Sequence, residues 1–388
     1  MPKIPKVILL IDTARSYGRG LLEGIAKYSN LHGPWIFYWK APFYRESGGR
    51  ELTLPRLRGL NADGIIMREQ KKTKEIISMG LPTIVAPWKE PFPGVANIIT
   101  DSVAIGRMAA EHLLHRGFRH FGYCGFGDMF YWCRERSEGF SKRIAKTGFQ
   151  THFYQQPKSR AQRLWENEQI LIADWLKSLP KPIGLMACTD DRSRDVMEAC
   201  KIAGLNVPDE IAVVGADNDE ILCNLCDAPL SSVAFNIEKA GYKAAELLDK
   251  LMAGKKMANQ TILAQPTHVV TRQSTDILAI EDKEIAEAVR FIHRHCREPI
   301  QVGDVVDAVA FSRRSLYKRF HKVLGHSPND EIRHVRVEQI VRMLVETNLP
   351  VSKIALALGY SSVAHIARYF RQEKGMNLQS YRKLYGRK

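Results

Sequence analysis

Four carboxylates and one arginine stand where short apolar runs give way to helix-like stretches, and their chemistry is that of holding a hydroxylated ligand. Asp12 follows "VILLI", Asp101 follows "VANIIT", Asp190 follows "PIGLMACT", and Asp217 with Asn218 follows "IAVVGA". Arg136 opens the stretch "RSEGF". A carboxylate accepts two sugar hydroxyls, a guanidinium donates a fork of N–H groups, and an aromatic ring covers the apolar face of a sugar. Trp132 is the candidate ring, and a core tryptophan is an equal reading of it. Tyr17 and Arg19, just beyond the first apolar run, are further candidates. A single Asp at such a position is an ordinary helix N-cap. Four of them with an arginine point to a binding site.

Catalytic constellations are missing from the chain. There is no GxSxG, GxxxxGK[ST] or HExxH motif, and "GYCGFG" (122–127) has the wrong glycine spacing for a dinucleotide turn. Cys223 and Cys226 form one CxxC, yet no second pair or neighbouring histidine completes a metal set. No metal or cofactor is expected. Seven scattered cysteines fit a reducing compartment rather than a disulfide framework.

A second chemistry lies near the end of the chain, written twice. "FSRRSLYKRF" (311–320) and "SSVAHIARYF" (361–370) align at an offset of fifty, as do Gly325 and Gly375. Ser312 and Ser362 suit helix N-caps. Leu316 with Phe320, and Ile366 with Phe370, are four apart and share a buried face. Arg313, Arg314, Tyr317 and Lys318 then face outward in one copy, and Ser361, Ala364, His365 and Arg368 in the other. With the two serines, these are the candidate DNA-contacting residues. Each copy has a short helix, a tight break and a second helix, the helix-turn-helix pattern that enters a major groove. A joining helix of about 19 residues is about 28 Å long, near the ~34 Å between successive turns of one groove.

The elements that must position these residues follow from periodicity. Up to residue 272, apolar runs such as "VILLID", "ADGIIM", "PIGLMAC" and "EIAVVGAD" alternate with amphipathic stretches such as "GRGLLEGIAKY" and "EKAGYKAAELLDKLM". That alternation predicts parallel sheets covered on both faces, and the length favours two lobes with a ligand at the strand ends. Residues 265–284 read as a connector, with the linker proper at 273–283, and 284–388 as all-helical. In the second copy "MNL" (376–378) promises a looser closing turn. If the backbone at Ala310 is left-handed, alanine costs roughly 1 kcal/mol there.

Charge divides the chain in the same way. Of a net +15, residues 281–388 carry +8 and the other 280 residues +7, so the tail has about three times the charge density. This points to an anionic polymer as its partner. No stretch approaches the ~20 apolar residues of a membrane span, and the N-terminus has no signal-peptide pattern. A cytoplasmic protein without a membrane partner is the expectation.

On "SRRSLYKRFHKVLGHSP" (312–328) and "IALALGYSSVAHIARYFRQEKG" (354–375), the tail resembles the AraC/XylS-type DNA-binding domain. On "DSVAIGRMAAEHLLHRGFRHFGYCG" (101–125), "RSEGF", "PDEIAVVGADN" (208–218), "PLSSVAFNIEKAGYKAAELL" (229–248) and "VVTRQST" (269–275), the first part resembles the LacI-type and periplasmic sugar-binding fold. That likeness implies effector contacts at Asp101, Arg136 and Asp217, with Asp190 beside one. A LacI-type repressor carries its DNA reader ahead of the first strand, which here begins at Val7, so the reader is expected at the other end. The combination, with the junction "RQSTDILAIEDKEIAEAVRFI" (272–292), resembles the group of xylose-operon activators. The resemblance implies a two-lobed α/β periplasmic-binding-protein-like domain (1–272) and an all-α domain with two helix-turn-helix units (284–388). It also implies a homodimer that binds a sugar effector, D-xylose in the first instance, reads direct-repeat operator half-sites and engages RNA polymerase. Another sugar or sugar acid, a sugar-modifying enzyme with a DNA-binding tail, and a constitutive DNA-binding scaffold are the rival readings.

Overall fold

The computed structural model describes residues 4–39, 53–159, 161–255, 260–309 and 311–386. Ala310 lies outside them. Two compact units emerge. The first comprises 1–102, 126–136 and 236–266, and the second 103–125, 137–235 and 267–388.

The first unit is built on a six-stranded sheet in the order β11-β5-β4-β3-β1-β2. Its strands are β1 (Lys6–Leu10), β2 (Ile36–Trp39), β3 (Gly64–Arg68), β4 (Thr83–Ala86), β5 (Ala96–Thr100) and β11 (Thr261–Ala264). Its helices are α1 (Ser16–His32), the short α2 (Leu54–Gly59) and α3 (Thr73–Ile77), and α9 (Ile237–Met252). Val7, Ile8, Ile65, Ile66, Ile84 and Val85 are essentially inaccessible, as strands covered on both faces must be. Helices α1 and α9 approach backbone to backbone. A Cβ on Gly24 would sit 1.8 Å from the Glu238 carbonyl oxygen, and one on Gly241 2.2 Å from that of Leu21. Glycine is required at both positions for this crossing.

The second unit holds a matching sheet, β12-β10-β9-β8-β6-β7. Its strands are β6 (Phe121–Cys124), β7 (Thr151–Phe153), β8 (Ile183–Ala187), β9 (Ile211–Ala216), β10 (Ser231–Phe235) and β12 (Pro266–Val270). Helices α4 (Ser102–His115) and α5 (Tyr131–Ala145) run into it from residues of the first unit; α6 (Trp165–Ser178), α7 (Asp190–Ala203) and α8 (Glu220–Leu225) complete the layers. In both sheets every strand pairing with a described register is parallel, as the alternation predicts.

The remainder of the second unit is helical: α10 (Lys283–Arg294), α11 (Val302–Val309), α12 (Arg313–Leu324), α13 (Pro328–Glu346), α14 (Val351–Ala357), α15 (Val363–Lys374) and α16 (Leu378–Tyr385). Two apolar cores divide it. Leu316, Phe320, Ile285, Val289 and Val305 form the first, and Ile354, Ile366, Phe370 and Tyr381 the second. Helix α13 serves both, with Ile332 and Val335 in one and Val337, Ile340 and Leu344 in the other. It is 19 residues long and opens on a capping box between Ser327 and Asp330.

The stretch expected as a connector is more structured than its sequence suggests. Residues 266–270 are strand β12, and Gln273–Thr275 form a 3-10 turn with Ser274 and Thr275 fully buried. Ser274 donates to the Val213 carbonyl at 2.6 Å, and the Ala279 N–H donates to that of Arg116 at 2.8 Å. The helical part also bonds back to β12: His268 Nε2 lies 3.2 Å from Glu346 Oε1, and the Tyr381 hydroxyl donates to the Thr267 carbonyl at 3.3 Å. The bond from His268 draws the Glu346 carboxyl down to about 2.

Candidate effector faces and DNA-reading helices

In the first unit, the loops that follow the strands gather aromatic and cationic side chains. The Arg68 guanidinium, at the end of β3, lies 4.7 Å from the Tyr17 ring centroid and 5.3 Å from that of Trp88. Its Nη1 is 3.6 Å from Asp12 Oδ2, while its Nε is buried without a hydrogen bond. Arg136 is 3 % exposed, and its guanidinium carbon sits 5.2 Å from the Trp132 ring. Trp132 is half-buried and stacks on Phe130 at 5.0 Å. Burial, with Tyr17 beside it, raises the Tyr131 hydroxyl above its ordinary range, so it stays a neutral donor. Asp101 is partly exposed at the start of α4. Arg19 turns back to donate to the Thr13 carbonyl at 2.9 Å.

Arg68 and Trp88 are not among the residues that the sequence singles out. The signal is present in outline, since Arg68 follows "GIIM" as Asp12 follows "VILLI". A search of strand ends for carboxylates and for Arg136 alone passes over it.

In the second unit, β9 ends in a sharp corner. Asp217 and Asn218 both take left-handed backbone conformations, with φ of 108° and 46°, which short polar side chains tolerate best. The Asn218 N–H donates to Ser232 Oγ at 3.0 Å, and Arg272 Nη2 donates to Asn218 Oδ1 at 2.9 Å. Asp190 behaves differently from its fellow candidates. It is 1 % exposed, and protein donors occupy both of its oxygens: Ser232 Oγ at 2.6 Å on one, the Asp219 N–H at 2.7 Å on the other. Burial, reinforced by Asp217, pushes its carboxyl well above the carboxylate range. Gly215 makes room for it, because a Cβ there would lie 2.4 Å from Asp190 Oδ1. Its geometry is that of a support beneath the β9 corner rather than of a ligand contact.

The two cysteines of the CxxC pair pack in one apolar core and take different partners. Cys223 is buried with its thiol 3.6 Å from Asp190, Cys226 donates to the Leu222 carbonyl, and all seven cysteines are free.

The two helix-turn-helix copies match in their local chemistry. Ser312 Oγ accepts from the Ser315 N–H, and Ser362 Oγ from the His365 N–H, each at 3.2 Å. Each reading helix closes on a left-handed glycine, Gly325 or Gly375. Leu316, Phe320, Ile366 and Phe370 are fully buried. Ser312, Arg313, Arg314, Lys318, Ser361, Ser362, Ala364, His365 and Arg368 are all exposed. Tyr317 is half-buried against the first core, and its hydroxyl accepts from Asn329 at 2.8 Å, so it faces outward less freely than its neighbours. Arg319 is withdrawn from the reading face, bound to Asp282 and Glu284. The "MNL" turn is not loose: Asn377 caps α16 by accepting the Ser380 N–H at 2.7 Å, the task Ser327 performs for α13. Among the described residues, no helix is long and apolar enough to cross a membrane.

Comparison with known proteins agrees with both halves. Residues 110–275 match the model of the periplasmic binding protein-like domain, and residues 305–384 that of a helix-turn-helix domain. The chain is 31 % identical over 387 residues to the xylose operon regulatory protein of Haemophilus influenzae, covering 97 % of this chain and 98 % of that one. It is 28 % identical over 386 residues to that of Escherichia coli K12, covering 97 % and 96 %. A solved structure of a xylose-binding transcription activator shares 27 % identity at a TM-score of 0.61 and covers all of both chains.

Proposed function

The chain belongs to the family of the xylose operon regulatory proteins, sugar-responsive DNA-binding transcription regulators, and from that premise we propose that it is a D-xylose-dependent activator of pentose-utilisation genes. The carrying observation is the pair of capped reading helices, α12 and α15, set on the two cores that the single helix α13 joins. Such a pair suits two successive major-groove segments of one duplex. Arg313, Arg314, Lys318 and Arg368 supply the salt-sensitive contacts to phosphate, and the remaining outward residues read base edges.

Asp101, Trp132 and Arg136, with Tyr17, Arg19 and Arg68, are the effector residues of the first unit; Asp217 and Asn218 are those of the second. Asp190 holds the latter two in place. The regulator works in the cytoplasm as a homodimer that reads direct-repeat half-sites and contacts RNA polymerase. Sugar acts by binding one arrangement of the paired subunits better than the other.

A thermal-shift series with D-xylose, L-arabinose, D-ribose, glucose and sugar acids tests the reading. A ligand at a hundred times its Kd stabilises the protein by about 2.7 kcal/mol, which is a rise of a few degrees in Tm. A rise with D-xylose alone is expected. A rise with a different sugar replaces the effector and keeps the regulator, and no rise with any of them overturns the sensor.

A further inference from the structure

Neither effector binding nor DNA reading uses the cluster around Glu331. This glutamate, on α13, is 1 % exposed, and imidazoles approach it from three other segments. His293 Nε2, from α10, lies 3.0 Å from its Oε1. His326 Nε2, from the loop after α12, lies 2.8 Å from Oε2, and His115 Nδ1, at the end of α4, 3.9 Å from that same oxygen. His115 in turn stacks face to face on His334, with centroids 3.8 Å apart and planes 8° from parallel.

The hydrogen bonding dictates what this arrangement suits. His326 Nδ1 is 3.0 Å from the Leu324 carbonyl oxygen, which can only accept, so Nδ1 carries the proton. With Nδ1 protonated, Nε2 either carries a second proton that it donates to Oε2 or turns a lone pair toward that oxygen, and a cation entering the site takes the place of that proton. His115 Nδ1 is buried, makes no hydrogen bond and faces that oxygen too. Two imidazole nitrogens and one carboxylate oxygen, all within 4.8 Å of one another, form a donor set suited to a cation. Imidazole and carboxylate are zinc ligands, and three of them with a water complete a tetrahedron. In such a tetrahedron ligand atoms stand about 3.4 Å apart, a spacing bracketed by the 2.8 and 3.9 Å found here. His293 bonds the other carboxylate oxygen and leaves Oε2 turned toward the imidazoles. The Leu324 carbonyl and the His334 ring orient the two imidazole ligands, the supporting interactions such a site needs.

We propose that His115, His326 and Glu331 bind one divalent transition-metal ion of zinc type, with water as the fourth ligand. His115 belongs to a helix of the α/β lobe, and the other two ligands belong to the helical DNA reader. The ion is a cross-link between them, and its occupancy tightens the coupling of lobe to reader.

The test uses the full chain, stripped with a chelator and titrated with CoCl2 under visible absorption, then with ZnCl2 in competition. One equivalent with tetrahedral cobalt bands, displaced by zinc, is expected. Binding is lost in His115→Gln and His326→Gln and kept in His152→Ala, a histidine exposed elsewhere on the same unit. His115→Gln alters a partly exposed lobe residue and leaves the reader's cores untouched. A readout without variants guards against loss of folding: in the wild type, Zn2+ suppresses carbethoxylation of His115 and His326, mapped by mass spectrometry, and spares His152. The absence of one-equivalent binding, its survival in both glutamine variants, unaltered modification of the two histidines, or a thiolate-to-cobalt charge-transfer band each overturns the proposal.

Discussion

Asp190 and Asp217 carry the same side chain at the ends of neighbouring strands, and their surroundings divide their roles. Asp217 stands partly exposed on a left-handed corner; Asp190 lies beneath it, with Ser232, the Asp219 N–H and Cys223 directed at its oxygens. Replacing Asp190 by Ala strands those donors in the interior and is expected to cost about 1–3 kcal/mol in urea denaturation. Asp217→Ala should abolish the sugar-induced rise in Tm while costing only about 1 kcal/mol of stability, the ordinary penalty of alanine on a left-handed backbone, and Arg136→Ala should abolish that rise as well. On the reader, Arg314→Ala and Arg368→Ala weaken DNA binding, and each reduces the slope of log K against log salt by about 1 for every phosphate the arginine neutralises. A salt slope unchanged in both variants would remove these residues from the interface. Strand-end position was legible in the sequence, whereas depth was not: a buried carboxylate and a partly exposed one follow equally apolar runs.

At the scale of elements, the offset of fifty was the clearest signal, because cap, buried pair and closing glycine recur together within each copy. Ser312→Ala and Ser362→Ala should each lower stability by about 1 kcal/mol, the ordinary worth of a cap, as read in thermal melts. The α1–α9 crossing has no slack, so Gly24→Ala forces the helices apart and should cost roughly 1–3 kcal/mol. Strand β12 is hard to read from sequence for a physical reason. Its Thr267 and His268 are buried, and they are satisfied by hydrogen bonds, to the Ala234 carbonyl and to Glu346. An apolar run is the mark of a buried strand only when nothing else satisfies its polar groups. The same interaction predicts a pH dependence. Glu346 has a folded pKa near 2, below the ~4.3 of an unfolded glutamate. The stability it contributes is present above that unfolded value and is lost as pH falls toward 2. Glu346→Gln should therefore lose less stability than wild type between pH 5 and pH 2.5 (about one unit either side of the carboxylate range), in melts of the two proteins side by side.

For the whole molecule, the chain's own order determined a good deal. Alternating apolar runs and amphipathic stretches specified parallel sheets; the repeat specified two reading helices and the length of the helix between them; the uneven charge marked the end that meets DNA. These are properties of neighbours along the chain, where period and spacing are read directly. Tertiary structure alone decided which strand-end groups reach the surface, that Arg68 stacks between Tyr17 and Trp88, and that the supposed connector is packed into the second unit. It also decided that His115, His293, His326 and His334 meet around Glu331. Those side chains come from four segments between residues 115 and 334, with no shared period. Their meeting is set by how an α/β lobe packs on a helical reader, and no local pattern encodes it.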